Sequence, residues 1–193
     1  MRDLFLIFFA IAIVNNVILA KFLGLCAFFG VSQDLKPAVS MGLALTFVLT
    51  LSSAASWIVN EFVLVPYNVE FLQTIVFIVV IAALVQFVEM FISKYAPLIQ
   101  KALGIYLPLL TTNCSVLGVC LLNVKDGLTF IETIVQGLGA GIGYMLAICI
   151  MAGIRARLVF SNVPKPMQGL PISFIVGALL ALSFFGFQGF LSH

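Results

Sequence analysis

Charged residues are scarce in this 193-residue chain. Asp, Glu, Lys and Arg together make up only 8% of it, whereas 63% is hydrophobic and the mean hydropathy is +1.26. Soluble domains carry roughly a quarter charged residues, so the composition excludes a soluble globular protein and indicates an integral membrane protein. The formal net charge of +2 is spread over loops and forms no basic stripe that would bind nucleic acid.

Histidine and the usual catalytic motifs are also missing. The single histidine is His193, at the end of the chain, which argues against a haem or a His-based metal site. No CxxC, GxGxxG or Ser/His/Asp arrangement occurs. We therefore expect no catalytic residue in this chain alone.

Six apolar segments are long enough to cross a bilayer, which takes about 20 residues. They are Leu4–Val31, Ala38–Val59, Phe71–Ile92, Leu98–Leu122, Leu128–Ile154 and Leu170–Leu191. The first has no small-residue cleavage site, so we interpret it as a retained span rather than a signal peptide. The connections are too short for a soluble domain, so we expect a single membrane domain over residues 1–193.

The first and fourth segments contain residues that interrupt a membrane helix. They are Asn15, Asn16, Lys21 and Gly24 in the first, and Gly104, Pro108, Thr111, Thr112 and Asn113 in the fourth. Irregular backbone at membrane depth persists only where protein buries it or water lines it. We therefore expect both helices to be discontinuous, with the asparagines hydrogen-bonding backbone groups at the breaks.

The two interrupted segments also share a short register around a cysteine. Cys26-Ala-Phe-Phe-Gly30-Val31 aligns with Cys114-Ser-Val-Leu-Gly118-Val119. Three spans repeated once must run in opposite directions. The pattern therefore predicts an all-α integral membrane fold of six transmembrane helices in an inverted 3+3 repeat, with helices 1 and 4 discontinuous. Repeat one covers about residues 1–95 and repeat two about 96–193.

Positive charge is concentrated in the loops of one side. The side that holds both termini carries Arg2 and Lys125, and the other side carries Lys36, Lys94, Lys101, Arg155, Arg157 and Lys165. Loops rich in Lys and Arg lie in the cytoplasm. Both termini are therefore expected on the outer side of the membrane.

All four cysteines lie inside apolar segments, which does not suit an extracellular disulfide framework. Cys120 and Cys149 are interpreted as small buried hydrophobes. Cys26 and Cys114 are candidate ligands, because thiolates hold iron–sulfur clusters. Since an ordinary cluster takes about four thiolates, this pair would supply half a site. A disulfide between the two, or no chemistry at all, also remains open.

Two ionisable residues and a glycine run complete the set of candidates. Lys21 and Glu89 lie deepest in apolar sequence, where a charge marks either a functional group or a side chain that reaches the interface. Glycine recurs at every second position through Gly137–Gly143. Small residues let membrane helices approach closely, so this run predicts tight helix packing and not a phosphate-binding loop.

The chain resembles the RnfA/NqrE family of membrane subunits, found in the Rnf (ion-translocating ferredoxin:NAD oxidoreductase) and Nqr (sodium-pumping NADH:quinone oxidoreductase) complexes. The resemblance covers essentially the whole length and is closer to the Rnf branch. It is carried by VNNVILAKFLGLC (14–26), QFVEM (86–90), LGIYLPLLTTNCSVLGV (103–119), AGIRARL (152–158) and SNVPKPMQG (161–169).

This resemblance implies a specific cofactor and specific partners. It implies an intramembrane [2Fe–2S] cluster shared with RnfE, a homologous subunit of opposite topology, with Cys26 and Cys114 as this chain's iron ligands. It further implies RnfB, RnfC, RnfD and RnfG as partners in a bacterial cytoplasmic (inner) membrane. The expected reaction passes electrons from ferredoxin to NAD+, coupled to Na+ or H+ transport, and this subunit is not catalytic alone.

Two other interpretations compete with that one. A small inverted-repeat secondary transporter would have incidental cysteines and no need of iron. A structural subunit that docks soluble redox partners would tolerate serine at Cys26 and Cys114.

Overall fold

The computed structural model describes residues 7–67, 70–95, 109–110, 112–161 and 163–188, which form helices and no strand. The helices are α1 (7–14, with Ala10–Val14 in π-helical form), α2 (Leu25–Val31), α3 (Leu35–Val59), α4 (Gln73–Tyr95), α5 (Cys114–Lys125), α6 (Phe130–Leu158) and α7 (Leu170–Gln188). A π-turn, Asn60–Leu64, and a short turn, Val65–Tyr67, extend α3. Two 3-10 turns lie at Glu70–Leu72 and Lys165–Met167.

Three of these helices are long and apolar enough to cross a membrane. They are Leu35–Leu64, Gln73–Phe91 and Phe130–Leu158, and they confirm the second, third and fifth predicted spans. Cys114–Lys125 and Leu170–Gly186 are apolar but shorter. The full count of six spans and the inverted repeat stay predictions.

Several predicted boundaries were wrong at the helix ends. The predicted loop after Val59 is helical through Leu64, because Phe62, Val63 and Leu64 continue the apolar run with no breaker before Pro66. The helix α6 likewise runs to Leu158, past the predicted end at Ile154. The helix therefore includes the first arginines of the predicted loop.

The predicted break in the first segment is confirmed. The helix α1 ends at Val14, and α2 begins only at Leu25. Between them, Phe22 (φ 56°) and Gly24 (φ 83°) both have left-handed backbone. The change of hand at these two residues stops either helix from continuing through the segment.

The fourth segment is described only in part. Gly104 and Pro108 lie outside the described residues, and so does Thr111. Leu109 and Leu110 are helical, and a new helix, α5, begins at Cys114. The predicted interruption around Thr112 and Asn113 is thus present.

The helices α3 and α6 form the most extensive packing in the described part of the chain. Gly42 of α3 faces Met145, whereas Thr46, one turn on, faces Gly141, four residues earlier in α6. The two helices are therefore antiparallel. Near the end of α3, the rings of Trp57 and Phe130 lie 5.2 Å apart.

The glycine run of α6 is what allows this approach, as predicted. A Cβ on Gly141 would lie 2.6 Å from Thr46 Cα, and one on Gly143 would lie 2.6 Å from the Ala12 carbonyl oxygen. Real Cβ atoms do not come so close to backbone. The backbones of α3 and α1 therefore pack directly on α6.

We predict that Gly141→Ala destabilises the protein by about 1–3 kcal/mol, because the new methyl group must push α3 away. Gly153→Ala is the matched control on the same helix, since its Cβ would have nothing within 4 Å. The control should be neutral or slightly stabilising, because alanine favours a helix over glycine. Thermal unfolding in detergent measures both variants, and equal midpoints would contradict this account of the packing.

Candidate functional site

The buried amide of Asn16 holds the break in the first segment. Its Nδ2 donates to the carbonyl oxygens of Gly143 (2.7 Å) and Ala12 (3.3 Å), and its Oδ1 accepts a hydrogen bond from the Ile18 N–H (3.1 Å). The bonds to Ala12 and Ile18 satisfy backbone groups at the break, and the bond to Gly143 ties the break to α6. The role predicted for Asn16 is thereby confirmed.

Gly24 lies where the broken first segment approaches the start of α5. With φ at 83°, it occupies the left-handed region that favours glycine. A Cβ at this position would collide with Ser115 Oγ and would lie 3.0 Å from Asn113 Oδ1. Glycine is thus required here by both the backbone conformation and the available space.

The start of α5 is capped in the way that its sequence predicts. The Asn113 side chain accepts a hydrogen bond from the Ser115 N–H at 3.0 Å. Such a bond satisfies one of the free donors in the first turn and fixes where the helix begins. Cys114 is consequently the first residue of α5.

The two predicted cysteine segments meet at this point. The Gly24 N–H donates to Cys114 Sγ at 2.9 Å, although the two residues are 90 positions apart. Cys26 lies two residues after Gly24, in the first turn of α2. One turn beyond Cys114, Gly118 leaves the space that the Leu23 side chain occupies. The Cys114 thiol therefore sits against the break that precedes Cys26.

Tyr144 is a site residue that the sequence analysis missed. Its hydroxyl donates to the Gly24 carbonyl oxygen at 3.2 Å. The hydroxyl also lies beside the Asn113 side chain and within electrostatic range of Cys26 and Cys114. The available signal was a tyrosine within a run of glycines and aliphatic residues, since a buried tyrosine hydroxyl requires a partner.

Arg155 also has a role beyond the topology signal for which it was considered. Its guanidinium donates to the Phe29 carbonyl oxygen at 2.8 Å and to Ser32 Oγ at 3.0 Å. These contacts satisfy the end of α2, the helix that begins next to Cys26. The helix α6 therefore holds α2 at both ends, through Tyr144 near its start and Arg155 near its finish.

All four cysteines are free thiols, so Cys26 and Cys114 are not joined in a disulfide. Both are solvent-exposed on the isolated chain, whereas Cys120 is buried and Cys149 is half-buried. Among the described residues, no three His, Cys, Asp or Glu side chains come together as a metal site. The thiols of Cys26 and Cys114 are thus the exposed pair.

The two candidate charges lie in different places. Lys21 is exposed and lines a cavity of about 370 Å³ together with Asn15, Lys125 and Asp126. Glu89 is half-buried on α4. Their roles stay open.

Comparison with known proteins supports a family assignment. The pattern described as "Rnf-Nqr subunit, membrane protein" matches residues 4–191. The chain is similar to a subunit of the ion-translocating oxidoreductase complex of Azoarcus sp. (strain BH72), with 50% identity over 100% of both chains. It is also similar to a subunit of the Na(+)-translocating ferredoxin:NAD(+) oxidoreductase complex of Acetobacterium woodii, with 52% identity over 91% of this chain and 92% of that one.

The matched region includes both cysteine segments and all of the described helices. The Azoarcus relative is 50% identical over the full length of both chains, so every described part of the fold is covered by the match. The chain therefore belongs to the Rnf-Nqr family of membrane protein subunits.

Proposed function

We propose that this chain is an electron-carrying membrane subunit of an ion-translocating ferredoxin:NAD+ oxidoreductase complex of the Rnf type. One observation carries the proposal. The segments of Cys26 and Cys114, far apart in sequence, are brought together by the bond from Gly24 to the Cys114 sulfur. Relatives at about 50% identity are named as subunits of ion-translocating oxidoreductase complexes, and the name of the Acetobacterium woodii relative states the ferredoxin:NAD(+) reaction, which supports the proposal.

Cys26 and Cys114 would provide two of the four thiolate ligands that bind the iron of a [2Fe–2S] cluster. The partner subunit would provide the other two. The donor set fits such a group, because both residues are free thiols, exposed on the isolated chain and near the same tyrosine. A bound cluster of this kind accepts and passes on one electron at a time. A shared cluster would also explain why both thiols are exposed on the isolated chain, since the partner subunit must be able to reach both sulfurs.

The surrounding residues orient the thiols and adjust their electronic properties. The Gly24 N–H donates to Cys114 Sγ, and hydrogen bonds to cluster sulfurs are one determinant of reduction potential. The Tyr144 hydroxyl donates a hydrogen bond to the carbonyl oxygen of the same glycine, Gly24. Asn113 fixes the turn from which Cys114 projects.

The expected partners are the homologous RnfE subunit, of opposite topology, and the RnfB, RnfC, RnfD and RnfG subunits. Six spans in an inverted 3+3 repeat, with both termini on the outer side of a bacterial cytoplasmic membrane, remain part of the proposal. The three long apolar helices support the spans, and the broken first segment supports a discontinuous helix 1. The transported ion is Na+ or H+, and the name of the Acetobacterium woodii relative favours Na+.

We predict that Cys26→Ser and Cys114→Ser each remove the intramembrane cluster from the purified complex. The EPR signal of that cluster in the dithionite-reduced sample should disappear and the iron content should fall, because serine is a poor ligand for iron in such clusters. Cys149→Ser is the matched control, as its thiol packs against the core. A retained signal in Cys114→Ser, with the other subunits assembled, would favour the transporter or docking alternative.

We predict that Gly24→Ala disrupts the site, because the left-handed backbone and the collision with Ser115 both oppose a side chain. Gly30→Ala, also in the first segment, is the control, since its Cβ would make only an ordinary contact of 3.6 Å with Leu109. The cluster EPR signal per assembled complex distinguishes them. Similar signals from the two variants would show that the approach of Gly24 to α5 is dispensable.

A further inference from the structure

Three helices that pack on one another, α3, α5 and α6, carry a set of buried polar side chains apart from the cysteine site. We call it the polar seam, and its members are Ser52, Ser53, Ser56, Cys120, Asn123, Thr133 and Gln136. Each is less than one-tenth exposed, and Ser52, Ser53 and Thr133 are completely buried. Serine and threonine are ordinary residues of membrane helices, but a buried polar atom that makes no hydrogen bond there is costly.

The contacts place three helices of the seam against one another. Cys120 of α5 lies against the hydroxyls of Ser53 and Ser56 on α3. The Ser53 hydroxyl also lies 3.0 Å from where a Cβ on Gly137 of α6 would stand. Thr133 is one turn before Gly137, on the same face of α6.

The end of the seam is closed by the loop between α5 and α6. Trp57 Nε1 donates to the Leu128 carbonyl oxygen at 3.0 Å, and the Leu128 N–H donates to the Asn123 carbonyl oxygen at 3.3 Å. Asn123 is one turn after Cys120 on the same face of α5. Its side chain is therefore directed towards the seam from the third helix.

Several polar atoms of the seam lack a well-formed hydrogen bond within the described residues. They are Ser52 Oγ, Ser53 Oγ, Asn123 Oδ1, Asn123 Nδ2 and Thr133 Oγ1. The Cys120 thiol, beside Ser53, is only a weak donor and acceptor.

Hydroxyls elsewhere on α3 behave differently. Thr46 Oγ1 donates to the Gly42 carbonyl oxygen at 2.7 Å, and Thr50 Oγ1 donates to the Thr46 carbonyl oxygen at 2.8 Å. This is the usual way in which a membrane helix satisfies such groups. Ser56 Oγ makes a similar bond, to the Ser53 carbonyl oxygen at 3.0 Å. The hydroxyls of Ser52, Ser53 and Thr133 make none within the described residues and remain available for a ligand.

We propose that the polar seam binds a monovalent cation, with Na+ as the ligand. The atoms available to coordinate a cation are hydroxyl and amide oxygens, which suit a hard cation. No seam side chain is a carboxylate, and sites for divalent cations use carboxylates to balance the charge. This assignment rests on the proposed function, since an ion-translocating subunit needs a place for its ion within the membrane.

One seam residue also reaches the cavity described above. Gln136 lines the cavity of about 370 Å³, as do Val119 and Leu122, which adjoin Cys120 and Asn123 in sequence. The cavity also carries Lys21, Lys125 and Asp126. Because two of these three charges are positive, we assign the cation to the uncharged seam and not to the cavity.

Binding of radioactive Na+ to the purified complex, with competition by unlabelled Na+ or K+, tests this site. We expect Thr133→Val and Ser53→Ala to weaken saturable Na+ binding roughly tenfold, the loss of about one ligand contact, or to remove one Na+ per complex. Thr50→Val is the matched control, since its hydroxyl is satisfied within α3. It should bind Na+ as the wild type does.

Thermal unfolding provides a second measurement. Replacing a buried hydroxyl that has no partner by a methyl group should not destabilise the protein in K+, so Thr133→Val should be altered only in its response to Na+. Unchanged Na+ affinity and stoichiometry in Thr133→Val and Ser53→Ala would overturn the proposal and leave the seam to water.

The outcome can be separated from the proposed redox function by measuring the cluster EPR signal on the same samples. Seam variants should retain that signal, because Cys26 and Cys114 are intact. If Cys114→Ser keeps the signal, the redox proposal fails whatever the Na+ result. If the signal behaves as expected but Na+ binding is unchanged in the seam variants, only the cation site fails.

Discussion

The close approach of Gly24 to the start of α5 is the contact on which the candidate site depends. The Gly24 N–H bonds the Cys114 sulfur, its carbonyl oxygen accepts from Tyr144, and its missing side chain leaves room for Ser115. One residue thus ties the break before Cys26 to the helix that begins with Cys114. A membrane interior offers no water to satisfy backbone groups at such a break, so the protein itself must supply the partners, and it does so here.

The helix α6 supplies most of that support. Its glycines admit α1 and α3 at backbone contact, the Gly143 carbonyl oxygen accepts from Asn16, and Arg155 bonds the end of α2. The same close packing buries Thr133 and Gln136 of α6, two members of the polar seam. The glycine-rich helix α6 thus contributes to two features. It packs closely around the cysteine segment, and it carries part of the seam, where several polar atoms make no hydrogen bond to another described residue. The first suits a redox group, which must not move relative to its ligands, and the second suits an exchangeable ion.

Much of this arrangement could be predicted from composition and local pattern. Apolar length predicted the three long helices, because a span is a local property of sequence. Asn16, Gly24 and the Asn113-Cys114 run predicted the breaks, since helix interruption is also local. The partners of Tyr144 and Arg155 could not be predicted, because their hydrogen bonds join residues more than 100 positions apart and depend on how α6 packs. The same holds for the seam, in which each hydroxyl by itself resembles the ordinary serines and threonines of membrane helices. The end of α3 was misplaced because polar Asn60 and Glu61 suggested a loop, whereas the apolar residues after them continue the helix.

In the proposed complex, Cys26 and Cys114, which are exposed in this chain, are covered by the partner and bound to iron. The most direct measurement is the rate at which N-ethylmaleimide alkylates each cysteine in the purified complex, before and after removal of iron by a chelator, read by mass spectrometry of the digested protein. We expect both thiols to be protected in the intact complex and to become reactive together once iron is removed, with Cys149 unchanged. Rapid alkylation of both thiols in the iron-loaded complex, at the rate found after chelation, would contradict this proposal.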